Sequence, residues 1–280
     1  MEPAEKKRKT STYSEQKTPN YGKKVLEVLD DFRKAEDLCD FFLKVGDRVV
    51  PVHQNVIAAT SPYLKDLIDR GTGGTSIVEI PNASFTAVER CVEYLYSGTT
   101  RVTLEDAGDI LDVASLMQLQ DMVELWFKHF ADILNVRNCW EIKHLADKHN
   151  NKKIKKSLDS LISNNIGDVC HHVDFVAIGI DELIRYISKA NDVVSAWKAA
   201  SLWVTSDLIT RSDNLHLIIK NLHLDRLKID DIEMLLNDTL IKSSNPCIEE
   251  VAKKVLKKSK RREVHHQQLA YFKLGCRSDQ

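Results

Sequence analysis

The sequence predicts an α+β protein that is predominantly α: a small mixed strand–helix unit followed by an all-helical one. Three observations carry this. Alternating apolar residues, the period of a strand, are confined to Phe41–Val52 and Ile77–Ile80. Elsewhere the apolar residues recur at three- and four-residue spacing, the period of a helix. No proline occurs between Pro81 and Pro246, so the middle of the chain carries no strong helix breaker. The expected divisions are a disordered basic arm over 1–20, the mixed unit over 21–132, the helical unit over 133–260 and a tail over 261–280.

Taken in order, the arm is polar and lacks large apolar groups, so it cannot bury enough surface to offset its ordering entropy. Val25, Leu26, Leu29 and Phe32 then give one apolar helical face. Phe41, Leu43 and Val45 alternate as on a strand, and Gly46-Asp47 turns the chain into a second strand ending near Val52. A short helix covers Ile57 to Ala59. Ser61-Pro62 restarts one, with the hydroxyl as cap and proline in the first turn, ending at Gly71. Thr72-Gly73-Gly74-Thr75 is a loop, and Ile77 to Ile80 a third strand. Val88, Cys91, Val92 and Leu95 line a helix that Ser97-Gly98 ends. Thr103 to Asp106 reads as a capping-box variant opening the next helix, with Ala107, Ile110, Leu111 and Ala114 inward. Met122, Val123, Phe127 and Phe130 mark another. Further helices are expected over 140–149, 154–162, 183–187, 193–204, 215–222 and 232–236. Asn245-Pro246 starts the last strong one, with Ile248, Val251, Ala252 and Val255 inward.

Composition narrows the function classes. Hydrophobic residues make up 43% and charged residues 29% of 280, which supports a sizeable core. Net charge is -1, so no global field favours nucleic acid or acidic membrane. Six widely spaced cysteines contain no Cys-x-x-Cys pair and read as reduced thiols. The longest apolar run, Phe175 to Ile180, is far too short to span a bilayer, and Met1 to Asn20 has no signal-peptide core. The expected compartment is the cytoplasm. The nucleus is a second address if Lys6-Lys7-Arg8-Lys9 is read as an import signal rather than a solvated arm.

Chemistry-bearing patterns are sparse. Cys170-His171-His172 is the densest ligand cluster, and Cys139, His144 and His149 share one helix, but the four closely paired ligands of structural zinc are missing. No Gly-x-Ser-x-Gly elbow exists. Gly71-Thr72-Gly73-Gly74 is followed by a strand and no Lys-Ser or Lys-Thr, unlike a phosphate loop. Asp30-Asp31 and Asp230-Asp231 sit at helix ends as surface charge. Lys253 to Arg262 reads as the polar face of a helix, and neither basic run carries interleaved aromatics, so nucleic acid is not an expected partner. No enzyme, metal or cofactor is expected.

More specific is the ordered series Asp37-Leu38-Cys39-Asp40, Phe41 to Val45, Gly46-Asp47, Pro51-x-His53, Val56 to Ala59 and Ser61-Pro62-Tyr63. It closely resembles the BTB/POZ domain, in which the Asp, the His and the Ser-Pro-Tyr-Phe step occur in this order. Phe85 to Gly98 resembles the family's helix ending in Tyr-Thr-Gly, and Ala114 to Leu119 its Ala-x-Leu-Leu-Gln-Leu step. Asn138 to Asp147, Ala199 to Val204 and Leu222 to Ile229 resemble the BACK domain. The nearest arrangement is that of Kelch-like proteins, and the resemblance covers about 23–260.

The resemblance implies a BTB/POZ fold followed by a helical BACK domain, and a homodimer that joins a cullin-3 ubiquitin ligase to a substrate protein not identifiable from the sequence. Val25, Leu26, Leu29, Phe32 and Phe41 are then the dimer interface, unless the first helix packs within its own chain. Asp40 and His53 are fold residues. Tyr63, Leu64, Asp66, Leu67, Tyr96, Leu119, Gln120 and Asn138 face cullin-3, although packing is the simpler role for Leu67 and Leu119. Two departures stand out. Leu64 replaces the second aromatic of Ser-Pro-Tyr-Phe, and Thr72-Gly73-Gly74 lacks the family's hydrophobic-x-Glu, which removes an anchor for cullin-3. The Kelch propeller expected after BACK has no counterpart within 280 residues, as in a shortened form of a longer protein or a naturally propeller-less one. The alternative roles are a non-ligase scaffold in nuclear or cytoskeletal assemblies, or a regulator that forms mixed dimers with full-length Kelch-like proteins.

Overall fold

The computed structural model describes residues 17–70, 77–101, 103–254 and 256. The chain divides into two compact units, Met1–Glu124 and Leu125–Gln280. The Lys6–Lys9 run, the Thr72–Gly74 loop and residues 261–280 lie outside the described residues.

The first unit begins with α1, Tyr21–Lys34, which rests on its own chain's fourth helix. Next come β1 (Phe41–Val45) and β2 (Arg48–Val52), an antiparallel hairpin with Phe41 opposite Val52 and Val45 opposite Arg48. Alternation predicts the hairpin because each strand has one face to bury: Phe41, Leu43 and Val45 point into the core. Gly46 takes φ 58 in the turn, a left-handed conformation that costs a side-chain-bearing residue more. Helices α2 (Gln54–Thr60) and α3 (Pro62–Asp69) come next, then β3 (Ile77–Glu79). β3 pairs parallel with β1, giving the order β2-β1-β3. Pro51 lies on β2, an edge strand, where a missing N–H is tolerated.

Ser61 links two elements. Its Oγ accepts from Leu64 N at 3.2 Å, capping α3 as expected, and donates to Met117 O at 2.7 Å. α4 (Phe85–Ser97) ends at Gly98, φ 64, whose N–H donates to Tyr94 O. α5 (Ala107–Leu116) starts later than the Thr103 capping box predicts. The Thr103 hydroxyl bonds the Asp106 carboxylate instead of a main-chain N–H, so the box does not form and Asp106 flanks the helix. The division between the units falls within α6, Gln120–Ile133.

The second unit is all helical among the described residues. Its elements are α7 (Cys139–Lys148), α8 (Lys152–Asn164), α9 (Ile166–Val169), α10 (Val173–Ala177), α11 (Ile180–Lys189), α12 (Val193–Thr205), α13 (Leu208–Arg211), α14 (Leu215–Asn221), α15 (Ile229–Asn237), α16 (Thr239–Lys242) and a terminal helix over 245–254. Three buried tryptophans give both bulk and a bond: Trp140 Nε1 donates to Val169 O at 3.1 Å, Trp203 Nε1 to Ile178 O at 2.9 Å and Trp197 Nε1 to the Asp238 carboxylate at 2.9 Å. In the terminal helix the buried residues are Cys247 and Val251. Ile248 and Ala252, expected inward, are exposed, so the face is rotated from the predicted one.

Candidate interaction surface

The apolar arc of helix α1 has two parts. Tyr21, Val25, Val28 and Phe32 recur at i, i+4, i+7 and i+11, within an arc of about 60° at 100° per residue. They remain 66%, 40%, 50% and 36% exposed in the single chain. Leu26 and Leu29 are half-buried. Of the residues expected at the interface, Val25 and Phe32 therefore lie on the open row. Phe41 does not: it is buried in the sheet's core, and a partner cannot reach it without opening the strand. Tyr21 and Val28 were absent from the expected set, although their spacing from Val25 and Phe32 is the row's own signal.

The inner side of α1 carries charge. Arg33 is buried, bonds Asp30 at 2.8 Å and stands 5.4 Å over the Tyr96 ring. Lys34 holds the other Asp30 oxygen at 2.7 Å. Burial works to raise the Asp30 pKa, but Lys34 and Arg33 outweigh it and hold the carboxyl below its usual range.

Beneath lies a neutral lock built from residues 43 positions apart. The His53 main-chain N–H donates to Tyr96 Oη at 2.8 Å, and the same hydroxyl meets His53 Nδ1 at 2.9 Å. His53 Nε2 lies 3.2 Å from the Asp37 carbonyl, which can only accept. Nε2 therefore carries the proton, Nδ1 accepts, and the Tyr96 O–H donates to it. Burial pushes Tyr96 up to about 12, with the His53 main-chain bond opposing. Asp40 is exposed and acts differently: its Oδ1 accepts from Gln54 N at 2.7 Å at the start of α2, opposite the orphan donors of that helix. Asp40 thus ties the hairpin to α2, and His53 ties it to α4. Cys39, whose thiol burial pushes up, lies 4.0 Å from His53 Nε2.

The expected cullin-facing residues separate by burial. Asp66 and Gln120 are exposed, Asp66 pairing with Arg70 at 2.5 Å. Tyr63 and Leu67 are half-buried. Leu64, Tyr96 and Leu119 are core residues and offer no surface, which corrects the expectation for all three. Asn138 belongs to the second unit, where its side chain accepts from Asn135 N and donates to Ile133 O. Ile77-Val78-Glu79 forms β3.

In the second unit, Lys155, Asp147, Lys143, Glu182, Arg185, Asp159 and Lys189 form a chain of alternating charge across α7, α8 and α11. Its links run from 2.6 to 3.6 Å. Glu182 also accepts from the Tyr186 hydroxyl at 2.7 Å. His172, of the Cys-His-His run, caps α10 through Nδ1 and stacks on Trp140. Among the described residues no group of three or more His, Cys, Asp or Glu is placed to hold a metal. No described helix is long and apolar enough to cross a membrane.

Comparison with known proteins places these units. Residues 29–134 match the family model of the BTB/POZ domain, and residues 139–237 match that of BACK, "BTB And C-terminal Kelch". Kelch-like protein 3 of Rattus norvegicus is 25% identical over 236 residues, 82% of this chain and 40% of that protein. Kelch-like protein 24 of Homo sapiens is 25% identical over 238 residues, 81% of this chain and 39% of that protein. The chain spans about two fifths of the length of these relatives. Among solved structures, the BTB domain of human gigaxonin is 24% identical and covers 43% of this chain and 99% of its own, with a TM-score of 0.39. With a BTB/POZ domain followed directly by BACK, and with Kelch-like relatives covering most of its length, the chain belongs to the BTB–BACK proteins of the Kelch-like kind.

Proposed function

We propose that the chain is a homodimeric interaction adaptor of the kind that presents a cullin-3 RING ubiquitin ligase to a substrate, with no catalysis of its own. The observation that carries the dimer is the open row Tyr21, Val25, Val28 and Phe32 on α1, the helix that the resemblance to BTB/POZ domains implies as the pairing element. Four neighbouring apolar side chains left in water are a recurring cost that a second copy removes, and a shared two-fold axis brings each row onto its equivalent. Two linked copies raise the effective concentration of ligase beside substrate, so proximity is the mechanism. Tyr63, Asp66, Leu67 and Gln120 remain as cullin-facing positions in the first unit, and Asn138 in the second. The compartment proposed is the cytoplasm, with Lys6–Lys9 as a route to the nucleus.

Titration of the purified chain with the N-terminal half of cullin-3, reading mass and affinity together, tests this. A two-to-two complex of submicromolar affinity is expected. A dimer that ignores cullin-3 overturns the ligase role.

A second reading has one observation in its favour: Thr72-Gly73-Gly74 has neither the apolar anchor nor the carboxylate of the family's loop. In that reading the chain is a non-ligase scaffold, or a regulator forming mixed dimers with full-length Kelch-like proteins. Restoring an apolar residue and a Glu in the loop separates the two. Cullin binding gained by the repaired chain assigns the defect to the loop alone, and its continued absence leaves the scaffold.

A further inference from the structure

Helix α14 ends at Asn221, and the last carbonyls of a helix lack partners within it. Here a side chain from far along the chain supplies them. Lys254 Nζ donates to Ile219 O at 3.0 Å, Lys220 O at 2.7 Å and Leu222 O at 2.9 Å. An ammonium has three protons, and all three are used. Its positive charge also sits at the negative end of the helix dipole. The next lysine along behaves as ordinary surface: Lys253 is 69% exposed and reaches only Glu249, at 3.7 Å.

The terminal helix has few other means of attachment. Of its described residues only Cys247 and Val251 are buried, while Ile248 and Ala252 face water. One ammonium therefore carries an unusual share of what holds this helix against α14, at the point where the chain continues into 257–280.

We propose that Lys254 is a charge-dependent latch for the terminal helix, and that N-acylation of its side-chain nitrogen is a modification that releases it. The chemistry needs an acyl thioester as donor. The ammonium first gives one proton to solvent. The resulting amine attacks the thioester carbonyl, the N–C bond forms as the C–S bond breaks, and the thiol departs with the proton the nitrogen sheds. The product amide is neutral and keeps one N–H for three carbonyls, so two acceptors lose their donor and the dipole loses its counter-charge. Burial already lowers the pKa of Lys254 below that of a free lysine, against Glu250 and Asp225, which favours the amine form the reaction needs.

The test is amide hydrogen exchange on the full chain carrying N-acetyl-lysine at 254, beside K254M, K254R and the control K253M. Release predicts that exchange over 245–254 rises on the order of tenfold or more in the acetylated and K254M chains. K253M stays at the starting rate, and K254R, which keeps the charge, falls closer to it than K254M does. Amides of α11 and α12 are unchanged throughout. Exchange over 245–254 within twofold of the unmodified chain after acetylation overturns the latch. So does a rise spread evenly over the whole second unit, which makes Lys254 a strut of the core rather than a local fastening.

Discussion

Replacing Tyr96 by Phe removes one oxygen and nothing else of the ring, so it isolates the polar lock of the first unit. That oxygen accepts from the His53 main-chain N–H and donates to His53 Nδ1. Tyr96 is 1% exposed and His53 5%, so water does not replace it. Two buried polar groups lose their partner, each worth about 1–3 kcal/mol when orphaned. Some of this is recovered by relaxation around His53, which leaves an expected loss of about 2–4 kcal/mol in the first unit. For a unit of this size that lowers its unfolding temperature on the order of 10 °C. The four tryptophans begin at Trp126, in the second unit, and are blind to this change. The assay is therefore hydrogen exchange on β1, α2 and α4, with protection expected to fall there and to hold in α11 and α12. An alkaline titration gives an independent check. The folded pKa of Tyr96 lies near 12 against 10.0 in an unfolded chain, so the unfolded state releases its proton first. Stability is intact below pH 10 and declines as pH rises toward about 12, and Y96F loses that part of the decline. A loss under about 0.5 kcal/mol, with the alkaline slope retained, refutes the lock as described.

Three further outcomes are expected of the same structure. E182Q keeps a partner for the Tyr186 hydroxyl but removes the charge that Lys143 and Arg185 share. It is expected to cost the second unit about 1–2 kcal/mol and to flatten its salt dependence, read by tryptophan fluorescence in urea at low and high salt. At acid pH, burial raises Asp147 but Lys143 and Lys155 outweigh it and leave its pKa lowered. Its stabilisation is therefore complete above the unfolded value of 3.8 and lost as pH falls through the lower folded one, a slope that D147N reduces. The double variant V28D/F32D places carboxylates on the open row of α1 and is expected to give monomers with unchanged helix content, by light scattering and circular dichroism.

Much of the fold was legible because its signals are local. Phe41, Leu43 and Val45 alternate beside a Gly46 that takes positive φ, and Ser61-Pro62 caps and opens α3 in three residues. What stayed hidden depends on distance. The His53–Tyr96 bond spans 43 positions, and neither residue's motif names the other as its partner. The short helices α9 and α10 hold too few turns for a period to show. The open row of α1 was named only in part, through Val25 and Phe32, for another reason. The apolar residues of α1 form one continuous arc of about 160°, and spacing alone does not tell the part turned to its own α4 from the part left open. Leu64, Tyr96 and Leu119 share this ambiguity. A motif position that a partner touches in one protein and a core position in another take the same apolar letters, and only burial separates them.

The two units reach stability by different polar means, and this has a consequence for how they respond to their surroundings. In the first, beside the Arg33–Asp30 pair on α1, the lock is joined through an imidazole, a phenol and main-chain groups, by hydrogen bonds rather than by an ion pair. Such bonds are indifferent to ionic strength. In the second, seven alternating charges on α7, α8 and α11 stand between 17% and 54% exposed, within reach of screening ions. Raising salt therefore weakens the second unit while leaving the first lock untouched. Acid loosens the ionic chain at Asp147, whose stabilisation is lost as pH falls through its lowered pKa. The BTB half thus carries a lock insensitive to the added salt that loosens the BACK half, and the open apolar row belongs to that same half. Since hydrophobic association does not weaken with added salt, self-pairing should persist under conditions that loosen the helices of the second unit.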